Sequence, residues 1–139
     1  MRLQLSTNYN IHNILQIIND AKLYLKSKEI DQWQHGYPNK SQIEKDIANN
    51  ESYVLINDAN QVIATSMFSI RPEPTYKVID GEWKIKESEK YGVIHRLAIH
   101  KNHRKKGIAS HIFNEFHQLL NKQQIRSLKI DTHEDNHEM

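Results

Sequence analysis

Residues 99–110 read Ile99-His100-Lys101-Asn102-His103-Arg104-Lys105-Lys106-Gly107-Ile108-Ala109-Ser110. The stretch follows an apolar, strand-like segment at 93–99. It leads into a run where Ile108, Ile112, Phe116, Leu119 and Leu120 recur at helical spacing. It is therefore a strand-to-helix junction, and it carries four Lys/Arg between positions 101 and 106. A helix N-terminus presents unpaired backbone N–H groups and a partial positive charge. Gly107 and Ala109 are small, so the backbone there can approach a bulky anion closely. Basic side chains, small residues and a helix start together describe a phosphate cradle. Neither the G-x-x-x-x-G-K-[ST] loop nor the G-x-G-x-x-G fingerprint is present. The competing reading is a solvated basic loop that opens an ordinary helix.

Working outward, the other elements follow from periodicity. Leu3 to Ser6 alternates as a first strand, and Ile11, Ile14, Leu15, Ile18, Ala21 and Leu25 mark a helix with Asn10 as its N-cap. Ser41 and Glu44 read as a capping box for a short second helix whose apolar face is Ile43 and Ile47. Strands at 53–56 and 62–70 flank the turn Asn57-Asp58-Ala59-Asn60 and predict a hairpin. Residues 71–90, with Pro72, Pro74, Gly81 and Trp83, read as a long loop. The strand at 93–99, the helix at 108–120 and a last strand at 127–131 predict a parallel pair with a right-handed crossover. The order is β-α-α-β-β-β-α-β, and the fold class is α/β or α+β with a mixed central sheet flanked by helices.

The 139 residues suit one domain, 1–139. The chain lacks cysteine, which excludes a disulfide framework, a thiolate metal site and a cysteine nucleophile, and fits a cytoplasmic protein. No apolar run approaches the roughly 18 residues of a membrane-spanning helix, so no membrane partner is expected. A formal charge of +2 is too small to imply nucleic-acid binding, and no second basic stripe or stacking platform accompanies residues 101–106, so no nucleic-acid partner is expected. Only four glycines occur, so each invites a specific reason.

Arg104-Lys105-Lys106-Gly107-Ile108-Ala109 resembles the R/Q-x-x-G-x-G/A motif of the GNAT superfamily, the acetyl-CoA-dependent N-acetyltransferases. The strand Val93-Ile94-His95-Arg96-Leu97-Ala98-Ile99 is similar to that family's fourth strand, and the helix at 108–120 to its third helix. The order of elements agrees across essentially the whole chain. The resemblance implies acetyl transfer from acetyl-CoA to a primary amine, by direct attack within a ternary complex. It also implies that backbone N–H groups of Lys105, Lys106, Gly107, Ile108, Ala109 and Ser110 hold the pyrophosphate of coenzyme A, with Arg104 beginning the loop. Lys101, Lys105 and Lys106 are alternatives for its 3′-phosphate. The edge of Leu97, Ala98 and Ile99 would pair with the pantetheine amides, and the N–H of Leu97 or its neighbour would polarise the thioester carbonyl.

Within the strand, His95 is the candidate general base, because imidazole titrates near working pH and a two-residue spacing should put it on the same face as Leu97. Packing within the sheet and deprotonation through water are the competing readings for His95. The family's acidic residue near this strand has no match in 91–99, and Glu89 lies just before it. Trp33, Tyr37, Trp83 and Arg96 are candidates to line the acceptor pocket. Asn136 matches the asparagine near the start of the family's fourth helix, and the resemblance implies it as a coenzyme A contact. That helix, its tyrosine proton donor and the last two strands have no counterpart in 137–139, so the C-terminal part of the pattern is expected to be missing. The alternative function is then a coenzyme-A-binding module without efficient catalysis. Open sheet edges would also suit a homodimer. His133-Glu134-Asp135-Asn136-His137 matches H-E-x-x-H but lacks a downstream third ligand, so no metal is expected. The acceptor stays open between small amines, aminoglycosides, peptide N-termini and protein lysines.

Overall fold

The computed structural model describes residues 1–30, 33, 36–70, 90–104 and 106–130. Its order is β1 (Arg2–Leu5), α1 (Ile11–Ser27), α2 (Lys40–Ala48), β2 (Ser52–Ile56), β3 (Val62–Ser69), β4 (Gly92–Ile99), α3 (Ile108–Asn121) and β5 (Leu128–Ile130). The described residues form one five-stranded sheet, β1-β2-β3-β4-β5. Neighbours from β1 to β4 are antiparallel and β5 joins β4 in parallel. A parallel pair needs a crossover, and α3 supplies it. This is the mixed α/β architecture expected from the sequence.

Strand alternation sends apolar side chains to both faces of the sheet. Leu55 joins Phe68, Ile94 and Leu97 under α3, which buries Ile108, Ile112, Phe116 and Leu120 at spacings of four. Val54 and Ile56 point the other way, with Ala98, and meet Ile14, Ile17 and Ile18 of α1 and Ile43 of α2. Under α3, the Phe68 and Phe116 rings stack at 4.2 Å and Tyr53 meets each edge-on. Such ring pairs add about 0.5–1.5 kcal/mol each beyond their burial. Gly92 owes its identity to this layer. A Cβ there would lie 2.9 Å from a Leu120 methyl and 3.0 Å from the Phe68 ring.

Local details differ from expectation at the helix starts. Asn10 occupies the N-cap position of α1 but makes no cap bond. A 3-10 turn, Asn8–Asn10, precedes the helix, and the Asn10 Oδ1 instead accepts the Thr7 N–H at 2.8 Å. Ser41 and Glu44 do not form the box of α2 either. Asn39 is extended and its Oδ1 accepts the Gln42 N–H at 2.9 Å, so the helix begins earlier and Ser41 falls in its first turn. The hairpin turn does form: Asn57 Oδ1 accepts the N–H groups of Ala59 and Gln61 at 3.0 and 2.9 Å. The expected loop at 71–90 lies outside the described residues up to position 89. No helix among the described residues is long and apolar enough to cross a membrane.

Candidate functional site

The site begins where the β4 ladder breaks. Ala98 lies opposite Thr65 and His95 opposite Met67, so β4 takes one residue more than β3 over the same interval. The surplus forms a bulge at Arg96–Leu97, and Arg96 sits in the left-handed region with φ +53°. A bulge shifts the two-residue alternation. Ile94, Leu97 and Ile99 all pack toward α3. His95, adjacent to Ile94 and opposite Met67, takes the other face. The expectation that His95 and Leu97 share a face is therefore corrected: the extra residue between them turns their side chains to opposite faces.

β5 pairs with β4 only at Gly92, Val93 and Ile94. Among the described residues, the rest of β4 has no strand partner on that edge. The side chains of Leu97, Ala98 and Ile99 pack into the two core layers, so what this edge offers a ligand is backbone. The open edge leads to the basic junction. There a 3-10 turn, Lys101–His103, is fastened by the His100 N–H donating to the Ile63 carbonyl at 2.8 Å. Arg104 folds back into the protein. Its Nε donates to the Ile99 carbonyl at 3.4 Å, and its guanidinium lies 4.7 Å from the centre of the Tyr24 ring on α1. The loop is thus tied to both β4 and α1 by the first residue of its motif.

Gly107 closes the loop as the N-cap of α3, at φ +74° and with no side-chain cap. Among the described residues, a Cβ at Gly107 would meet no atom within 4 Å, so they leave the space before the helix start open. The first intrahelical donor is the His111 N–H, which reaches the Gly107 carbonyl at 3.1 Å. The N–H groups of Ile108, Ala109 and Ser110 precede it and have no intrahelical acceptor. Ile108 is buried by its side chain, while Lys106 and Ser110 are exposed beside the opening. Open space, unpaired donors, a positive helix end and exposed basic side chains fit a phosphate group.

A buried ion pair backs the bulge. Arg96 donates from Nε to Asp46 Oδ2 at 2.7 Å and from Nη2 to Asp46 Oδ1 at 2.8 Å. Its Nη1 donates to the Tyr37 hydroxyl at 2.6 Å. The two charged side chains are only 9% and 5% exposed. Burial alone pushes the Arg96 pKa down, but the hydrogen bond and charge of Asp46, followed by Tyr37, outweigh it and hold the group above its ordinary value. Arg96 is therefore permanently charged. The segment before α2 is held a second time by the Lys22 ammonium, which donates to the Pro38 carbonyl. Burial lowers the Lys22 pKa.

The sequence reading placed Arg96 and Tyr37 in one region but missed Asp46 altogether. One signal was available. Asp46 stands three residues after Ile43 and one before Ile47, on the apolar face of α2, where an aspartate needs a partner. Trp33 packs against the α1–α2 layer. Lys105, Trp83, Glu89, Asn136 and the His133–His137 motif lie outside the described residues. Among the described residues, no group of three or more His, Asp or Glu could hold a metal ion.

Comparison with known proteins agrees with this geometry. The chain matches the model described as "Acetyltransferase (GNAT) family" over residues 13–139. A GNAT-family acetyltransferase from Streptococcus agalactiae is 27% identical, with TM-score 0.85, covering 97% of this chain and 77% of that one. A putative acetyltransferase from Staphylococcus aureus is 24% identical, with TM-score 0.74, covering 95% and 80%. A predicted acetyltransferase from Clostridium acetobutylicum, solved with acetyl-CoA, is 18% identical, with TM-score 0.59, covering 96% and 81%. The last two comparisons speak to the fold. Among curated proteins none matches significantly.

Proposed function

Because the chain belongs to the GNAT acetyltransferase family, we propose that it transfers an acetyl group from acetyl-CoA to a primary amine by direct attack in a ternary complex. The observation that carries this reading is the continuity of two features. The half of β4 left open beyond Ile94 runs into a helix N-terminus whose glycine leaves room for an anion. An extended, amide-bearing arm that ends in a pyrophosphate matches that pair of features in order. The arm would add to β4 as a strand does, at Leu97, Ala98 and Ile99. Its phosphates would rest on the N–H groups of residues 106–110, with Lys105 adjoining and Asn136 further along the chain. Lys101, Lys105 and Lys106 remain alternatives for the 3′-phosphate.

In the reaction the amine nitrogen attacks the thioester carbonyl carbon. The carbon–sulfur bond breaks, and the electron pair leaves with the coenzyme A thiolate. Negative charge develops on the carbonyl oxygen, where a backbone N–H at the bulge, assigned to Leu97, would donate. A neutral amine is required, and His95 is the assigned acceptor of its proton, directly or through water. Its position opposite the α3 layer puts it on the side of the sheet that carries Arg96 and Tyr37.

The test joins calorimetry with acetyl-CoA to an acetylation assay over small amines, an aminoglycoside, a free peptide N-terminus and a lysine peptide. Binding with turnover on at least one amine is expected. Binding without turnover would reduce the reading to a coenzyme-A-binding module, and no binding would end it.

A further inference from the structure

Arg96 occupies the one backbone position on β4 where an arginine is least at ease. A non-glycine residue at φ +53° carries a strain of order 1 kcal/mol or more, which persists only when the surroundings over-determine it. The surroundings here are the Asp46 carboxylate, gripped through two nitrogens, and the Tyr37 hydroxyl, gripped through the third. All three guanidinium nitrogens are spoken for within the protein. The two groups they hold come from segments 50 and 59 residues distant in sequence. Asp46 lies in α2 and is buried. Tyr37 lies in the segment before α2 and is 42% exposed, so one end of the fork reaches the surface.

We propose that Arg96 is a positioning residue that fixes the β4 bulge and ties it to the segment carrying Tyr37, so that occupation of the β4 edge is felt at that segment. The proposal rests on the coenzyme A reading above. Asp46 anchors the guanidinium to the rigid helix, which fixes where the bulge sits and hence where the Leu97 N–H is offered. Tyr37 is the partner outside the helix: its hydroxyl is held by the guanidinium, and Gly36 and Asn39 are held through Tyr37. Lys22 restrains the same segment through the Pro38 carbonyl and limits how far it can stray. A ligand arm laid along Leu97–Ile99 stiffens the bulge, and the fork passes that stiffening to the surface where an acceptor would meet the thioester.

The test is amide hydrogen exchange on the full chain, with and without acetyl-CoA. In the parent, acetyl-CoA should slow exchange about tenfold at Leu97 and, by a comparable factor, at Gly36, Tyr37 and Asn39. Tenfold is about the weight of one net hydrogen bond, near the upper end for the neutral acceptor at Leu97 and near the lower end for the charge-assisted bond to Tyr37. Tyr37→Phe removes only the outer bond, at a half-exposed site, and folding should survive it. It should keep the protection at Leu97 and lose that at Gly36 and Asn39. Arg96→Lys keeps the charge but lacks the fork, and should lose both effects. A purely structural role for Arg96 would shift melting temperature without making protection at 36–39 depend on ligand. Protection at Leu97 alone in the parent, or ligand-dependent protection at 36–39 that survives Tyr37→Phe, overturns the coupling and leaves the coenzyme A reading intact. No protection anywhere by acetyl-CoA overturns both.

Discussion

Gly107→Glu separates what the fold needs at the cradle from what a ligand needs. The backbone at Gly107 is left-handed, so any L side chain other than Asn or Asp costs roughly 1–2 kcal/mol there. Among the described residues no atom lies within 4 Å of the added Cβ, so they add no steric penalty to that strain. A carboxylate at a helix N-terminus returns about 0.3–1 kcal/mol. The net loss of stability is then about 1 kcal/mol, a fall of about 4 °C in melting temperature for a chain of this size. For a bound pyrophosphate the terms do not cancel. The new charge opposes it and the side chain fills the space it needs, so affinity should fall at least tenfold. Gly107→Asn is the control, because asparagine tolerates this conformation and adds no charge. It should melt close to the parent and bind more weakly by a smaller factor than the glutamate. Thermal melts paired with calorimetric titration of acetyl-CoA read both quantities. A folded Gly107→Glu chain that binds acetyl-CoA as tightly as its parent would falsify the cradle assignment.

The remaining predictions concern the framework behind the site. Gly92→Ala pushes a methyl against Leu120 and Phe68 in the α3 layer, and should cost about 1–3 kcal/mol in denaturant unfolding; an unchanged midpoint would contradict the packing described. Asp46→Ala leaves the Arg96 charge buried without its carboxylate and should cost about 3–5 kcal/mol, whereas Asp46→Leu combined with Arg96→Met should fall near the parent. Equal losses in the two variants would mean that the pair is not buried as described. Burial, and then the negative charge of Glu51, raise the Tyr53 pKa above 10.0. A raised acid contributes stability that is complete below its unfolded value and is lost as pH climbs through the folded one. Tyr53→Phe should therefore lose less stability than the parent as pH rises above about 10. Lys22, with its pKa lowered, acts in the opposite sense, so the difference between variant and parent is the quantity to plot.

Much of the fold was legible because its signals are local and periodic. Ile108, Ile112, Phe116 and Leu120 announce α3 at a spacing of four, and Asn57 marks its own turn. The helix starts were less legible, because several neighbouring residues could serve as cap. Asn39 outcompeted Ser41 only because the chain arrives there extended. The bulge was not legible at all. It is a mismatch between two strands, and nothing in Val93-Ile94-His95-Arg96-Leu97-Ala98-Ile99 taken alone shows that β3 is one residue shorter across the interval. The same non-locality hid the Arg96–Asp46 pair, whose members stand fifty positions apart. The basic junction, by contrast, is contiguous, and its chemistry could be read from a dozen adjacent residues.

The central claim is that the open part of β4 and the start of α3 together receive acetyl-CoA. Amide chemical shifts of the full chain titrated with acetyl-CoA test it most directly. The account predicts saturable shifts clustered at Leu97, Ala98 and Ile99 and at residues 106–110. Shifts absent from both segments, or centred elsewhere on the sheet, would contradict it.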